Sequence, residues 1–161
     1  MIEKLTPFLI FCAALGSGLI AGLFFAFSSF VMNALYRIPP EQGISAMQSI
    51  NSAVLNRLFL TVFMGTSLVC MVLVIISLFN WKDPNAIYIL AGSLLYLLGS
   101  LLVTAVCNVP LNDVLAKVMA TDAESVGLWK DYHLKWTVWN HVRTMASFAA
   151  LTIFVYVLWR M

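Results

Sequence analysis

Charge is scarce in this sequence. Asp, Glu, Lys and Arg make up 10% of its 161 residues, where a soluble domain carries about 25%. A soluble globular fold is therefore excluded, and 62% hydrophobic content points to an integral membrane protein lying in a lipid bilayer. The net charge of +2 is small and scattered, which argues against nucleic acid as a partner. Cysteine is sparse and odd in number: Cys12, Cys70 and Cys107 sit in or at the end of apolar runs, without metal-like spacing. They read as buried fillers and not as a disulfide framework. Histidine is limited to His133 and His141, eight residues apart, with no ExxH or HxxxH pattern. No metal and no resident cofactor is expected from such a set, and no second histidine inside a span offers a haem pair. Phosphate loop, nucleophile elbow and redox CxxC are absent as well. Any enzyme here must rely on acid–base and electrostatic chemistry, or borrow a cofactor.

What the chain has in abundance is apolar runs of membrane-crossing length. They occupy about 5–32, 58–79, 86–106 and 138–158. The first is far longer than a signal-peptide core and is read as a retained span. The expected fold is all-α, a single membrane domain over 1–161, built as a four-helix bundle with short amphipathic interfacial helices in the first and third connections. In the first connection, Pro39-Pro40 should end the helix, leaving 41–56 to form a short helix along the interface. The turn at 80–84 is tight and implies antiparallel neighbours. Pro110 can halt or kink the third span, and 113–135 is expected to be a long polar connection. Ala14, Gly18, Gly22 and Ala26 recur at steps of four, a smooth strip suited to close approach by another helix, or by a second copy in a homo-oligomer. Four spans put both termini on one side. Arg37, Arg57, Lys117, Lys130, Lys135 and Arg143 stand on the loop-one and loop-three side, against Lys4, Lys82 and Arg160. That bias favours cytoplasmic loops one and three, with the termini outside.

The densest polar chemistry lies in WKDYHLKWTVWNHVR, residues 129–143. Helical steps place Tyr132, Trp136, Asn140, Arg143 and Ser147 near one face. Sixteen uncharged residues, TMASFAALTIFVYVLW, follow Arg143, so the guanidinium stands at the mouth of a buried helix. An ionisable group at that depth suggests a site; the competing reading is an interfacial anchor that snorkels to the headgroups. Gln48, Asn51, Asn56, Arg57, Asn108, Asn112, Trp136, Asn140 and His141 share its membrane face. A bundle would gather them around one cavity mouth. They either satisfy each other or orient a flat apolar molecule stacked on Trp136 or Trp139. In the second case Arg143, Asn140 and Trp136 carry the chemistry, and Gln48, Asn51, Asn108 and Asn112 bind the substrate.

Four stretches carry a resemblance: GLIAGLFFAFSSFVMNAL in the first span, MQSIN at 47–51, NVPLN at 108–112 and WTVWNHVR at 136–143. With these motifs the chain resembles the anthrone-oxygenase-like family of small four-helix membrane proteins. Asn33 stands where that pattern has proline, and His141 falls at an open position. The resemblance implies a bacterial inner-membrane protein and an oxygenase that turns an anthrone into an anthraquinone without metal or flavin. Arg143 and Asn140 would hold the developing oxyanion, Trp136 would be a stacking wall, and His141, His133 or Asp131 would be the base. Three readings stand: such an oxidoreductase, a non-enzymatic small-molecule binder or transporter, and a structural membrane subunit.

Overall fold

In the computed structural model, which describes residues 2–122 and 124–161, the chain is helical throughout its elements. The side chain of Lys4, counted in the charge balance above, lies outside those described. Four helices are long and apolar enough to cross a membrane: α1 (Leu5–Arg37), α3 (Arg57–Phe79), α4 (Ala86–Ala116) and α5 (Ser125–Arg160). A short helix, α2 (Pro40–Ala53), connects the first two. Pro40 opens α2, where its missing N–H costs nothing. Asn56 caps α3 by accepting a hydrogen bond from the Phe59 amide at 3.0 Å, which assigns that amide to helix initiation.

The spans form a ring in which α1 packs on α3 and α5, and α4 packs on the same two. Lipid gives no hydrophobic drive between such helices, so packing depends on small residues. A side chain on Gly16 would collide with Thr66, and one on Gly99 with Ala146. Leu19, Phe25, Leu68, Leu98 and Phe148 point outward, each more than half exposed, as a lipid-facing surface requires. Of the small-residue strip, Ala14 is buried and Gly18 lies beside Leu151, whereas Gly22 has open space around it.

Two expectations need correction. The third span does not stop near Pro110: α4 runs on to Ala116. Nor is 113–135 a long connection, because α5 begins at Ser125. Hydropathy marks the bilayer core, whereas a helix continues for as long as its next turns find packing partners. Pro110 is accommodated because the turn before it, Thr104–Asn108, widens to π-helical geometry. That widening relieves the clash a proline ring makes with the preceding turn.

At 1.5 Å per residue α5 is about 54 Å long, against about 30 Å of hydrocarbon. α1, α4 and α5 therefore project together on one side. α3 is shorter, and α2 folds over the place it leaves. Two apolar cores result. One, inside the bundle, contains Ile10, Phe63, Cys70, Leu73, Tyr96 and Phe154. The other, under α2, contains Met32, Ile44, Met47, Leu115, Trp129, Tyr132 and Trp136. Between them, in chain order along three helices, lie Ser28, Thr104, Asn108, Asn140, Arg143 and Thr144. This polar layer holds the candidate site.

Candidate functional site

The layer is built from α5 upward. Tyr132, Trp136, Asn140, Arg143 and Ser147 all face inward and are buried, as their helical steps require. Its partners come from widened turns. Ser28 sits in the π-helical turn Phe27–Val31, and Thr104 and Asn108 in the turn Thr104–Asn108. Such turns free a backbone position and re-aim side chains, and they recur at functional sites.

Asn140, with 0% of its surface exposed, uses both ends of its amide. Its Nδ2 donates to the Phe24 carbonyl at 2.8 Å and to Ser28 Oγ at 2.8 Å. Its Oδ1 accepts from Arg143 Nη2 at 2.8 Å. Ser28 in turn lies 3.0 Å from Thr144, whose hydroxyl donates to the Asn140 carbonyl at 2.8 Å. This loop locks α1 to α5 and fixes one arm of the guanidinium. The other arm, Nη1, donates to Thr104 Oγ1 at 3.2 Å. Aromatic faces complete the seat: Arg143 Cζ lies 4.1 Å from the Phe24 ring centre and 5.1 Å from that of Trp136. The arginine is only 4% exposed, and its Nε has no hydrogen-bond partner among the described residues.

A second network hangs on Asn112. Its Oδ1 accepts from Tyr132 OH and from Trp136 Nε1, both at 2.9 Å. Asn51 donates to Tyr132 OH at 3.3 Å. The rings of Trp129, Tyr132 and Trp136 stack in succession, with centres 5.7 and 6.3 Å apart. Gln48 donates to the carbonyls of Leu115 and Val118 at 2.8 and 3.0 Å, closing the end of α4. Asn108 donates to the Trp136 carbonyl at 3.2 Å, while its own side-chain oxygen is unpartnered among the described residues.

The two networks border one cavity of about 440 Å³, above the N-terminus of α3. Arg143, Trp136, Gln48, Asn51 and Asn112 line it, together with Leu23, Phe24, Phe27, Phe59, Thr104 and Asp113. Asn140 and Asn108 stand behind its wall, and Asn140 reaches it only through Arg143. Apart from Ser52 the remaining walls are apolar, and the rim includes Val54 and Leu55 at the junction of α2 and α3.

Several residues that neighbour these in the chain are elsewhere in space. Trp139 is 40% exposed on the outer face of α5, so it is no wall of this cavity. His141 and Arg57 are exposed. His133 stacks on Tyr36 with ring centres 4.3 Å apart. Asp131 pairs with Lys135 at 3.3 Å on the surface and lines a separate groove with Leu111 and Val114. None of the three candidate bases lines the cavity. The carboxylate that does is Asp113, which follows NVPLN directly but carries no pattern of its own that marks it as a site residue. Phe24 and Ser28 are likewise not evident from the sequence; the pair Ser28-Ser29 inside an otherwise apolar run is the available signal. Among the described residues no group of His, Cys, Asp and Glu is arranged to hold a metal ion.

Residues 56–153, well over half of the chain, match the anthrone oxygenase family, and the chain belongs to it. Comparison with curated proteins and with solved structures gives no match.

Proposed function

From that membership as premise, we propose that the protein is a membrane-embedded oxidoreductase acting on a flat, apolar phenolic or quinone-like molecule in the cavity at Arg143. The observation that carries this reading is the seat of Arg143. A fixed cation, wedged between two aromatic faces, forms part of the wall of a largely apolar cavity. Its volume falls within the range of small-molecule sites, about 300–1,000 Å³. Such a cavity accepts planar rings between Trp136, Phe24, Phe27 and Phe59, and the guanidinium offers the donor for one ring oxygen.

For an anthrone the chemistry balances as anthrone plus O₂ giving anthraquinone plus water. The central methylene loses a proton, and its electron pair spreads onto the carbonyl oxygen as an enolate. Arg143 lowers the energy of that oxyanion, and Asn140 holds Arg143 in register from behind. Asp113 at the rim is the proton acceptor this arrangement supports. Electron transfer to O₂ then proceeds from the anion. One oxygen atom ends in the new carbonyl, the other in water with the two methylene hydrogens. The bias of Lys and Arg toward the α2 side favours a cap that faces the cytoplasm.

The test is quinone formation by the purified protein in lipid nanodiscs, supplied with an anthrone in air. A rate well above the spontaneous one is expected. Arg143→Ala should lower it about 10²–10³-fold, the usual effect of losing an oxyanion donor. A wild-type rate equal to the spontaneous one would end this reading. Ligand-dependent thermal stabilisation without turnover would instead favour a binder or carrier.

A further inference from the structure

Arg143 is a buried cation without a counter-ion among the described residues. The ion pair found among them is Lys135–Asp131, on the surface. The ionisable groups that act on the guanidinium are Tyr132 on its own helix and Cys107 on α4, a phenol and a thiol. From α1 the neighbour is Phe24, and Ser28 reaches the guanidinium only through Asn140. Asp113 lines the same cavity from α4 but lies beyond ion-pair distance of Arg143. An isolated charge in an apolar interior is costly. The two ring faces and the two hydrogen bonds offset part of that cost. Nε–H stays unpartnered, and the group fronts a cavity. The remaining compensation has to come from whatever occupies that cavity.

We infer that the cavity takes its ligand as an anion: a planar phenolate or enolate whose ionised oxygen is the counter-ion of Arg143. This inference rests on the reading of the cavity as a ligand site. It adds that ionisation accompanies binding and does not wait for the chemical step. The proton leaves by way of the rim, where Asp113 stands, and the electron pair stays on the ligand oxygen beside the guanidinium. The ligands selected are therefore acidic hydroxylated aromatics, in preference to neutral rings of the same outline.

A monohydroxylated anthraquinone tests this without any turnover, because its visible band moves to longer wavelength on ionisation. Bound to the wild-type protein in nanodiscs, it should titrate with a midpoint at least one pH unit below its value in empty nanodiscs. That shift corresponds to a tenfold preference for the anion. Its methyl ether, which cannot ionise, should bind at least tenfold more weakly. With Arg143→Gln the two compounds should bind alike, and the midpoint should return to the free value. The ether comparison on the wild-type protein needs no variant, so misfolding of Arg143→Gln cannot mask the answer. Equal binding of dye and ether by the wild type, or an unshifted midpoint, overturns the inference. So does displacement of the dye by a long-chain fatty acid at lower concentration than by a second hydroxyanthraquinone, which would assign Arg143 to lipid carboxylates. Quinone formation by a protein that binds dye and ether equally would leave the oxidoreductase reading standing and remove only this one.

Discussion

Asn140→Ala should be among the most destabilising single changes in the polar layer. It removes three hydrogen bonds, each 2.8 Å long, to Phe24, Ser28 and Arg143. Neutral bonds between membrane helices average about 0.6 kcal/mol and reach about 1.7. A bond to a charged group contributes about 1.5–3 kcal/mol. The sum is about 3–6 kcal/mol, the upper end applying because the Phe24 carbonyl and one guanidinium arm are left without partners. Reversible unfolding in mixed micelles, followed by circular dichroism, measures it. Ser29→Ala is the control: that hydroxyl bonds only within its own helix, to the carbonyls of Phe25 and Ala26, and is exposed. It should change stability by less than about 0.5 kcal/mol, as surface substitutions do. A loss below about 1 kcal/mol for Asn140→Ala would refute the claim that this amide locks α1 to α5 and seats Arg143.

Other consequences follow from the same contacts. Asn140→Asp gives Arg143 the carboxylate it lacks, so binding of the ionised hydroxyanthraquinone should fall at least tenfold while its methyl ether is unaffected; equal weakening of both would argue against charge as the cause. Gly16→Ala should cost about 1–3 kcal/mol by overpacking against Thr66, and Thr66→Ala should rescue it in a double-mutant cycle. Gly22→Ala meets open space and should be neutral or gain up to about 1 kcal/mol from helix propensity; a loss in the same unfolding assay would mean that a second copy covers that strip. Gln48→Ala frees the carbonyls of Leu115 and Val118, at about 1–2 kcal/mol, and amide exchange over 115–122 should quicken about tenfold or more.

The four spans are legible because 5–32, 58–79, 86–106 and 138–158 are long and apolar, with Arg143 the one Asp, Glu, Lys or Arg in any of them. Helix ends are less so, since Val109–Ala116 and the first turns of α5 are amphipathic, and their apolar faces pack under α2 and not in lipid. The gathering of Gln48, Asn51, Asn112, Trp136 and Arg143 around one cavity is also readable, because residues on the same membrane face of a narrow bundle have little room to avoid each other. Their individual roles are hidden. An asparagine advertises two donors and an acceptor, but its partners on other helices are not encoded in its neighbours. Asn140 therefore looks like an oxyanion donor in the sequence and is a brace for Arg143 in the fold. Asn112 faces the cavity yet already accepts from Tyr132 and Trp136. Asp113 has no local signal beyond its charge, and Phe24 looks like one more apolar residue in a span.

The most direct measurement is an experimental structure of the protein in nanodiscs saturated with a hydroxyanthraquinone. The ring system should lie between Trp136 and the apolar wall of Phe24, Phe27 and Phe59, with one oxygen within hydrogen-bond distance of the Arg143 guanidinium. A ligand bound anywhere else on the chain, with the cavity at Arg143 unfilled, would contradict that placement.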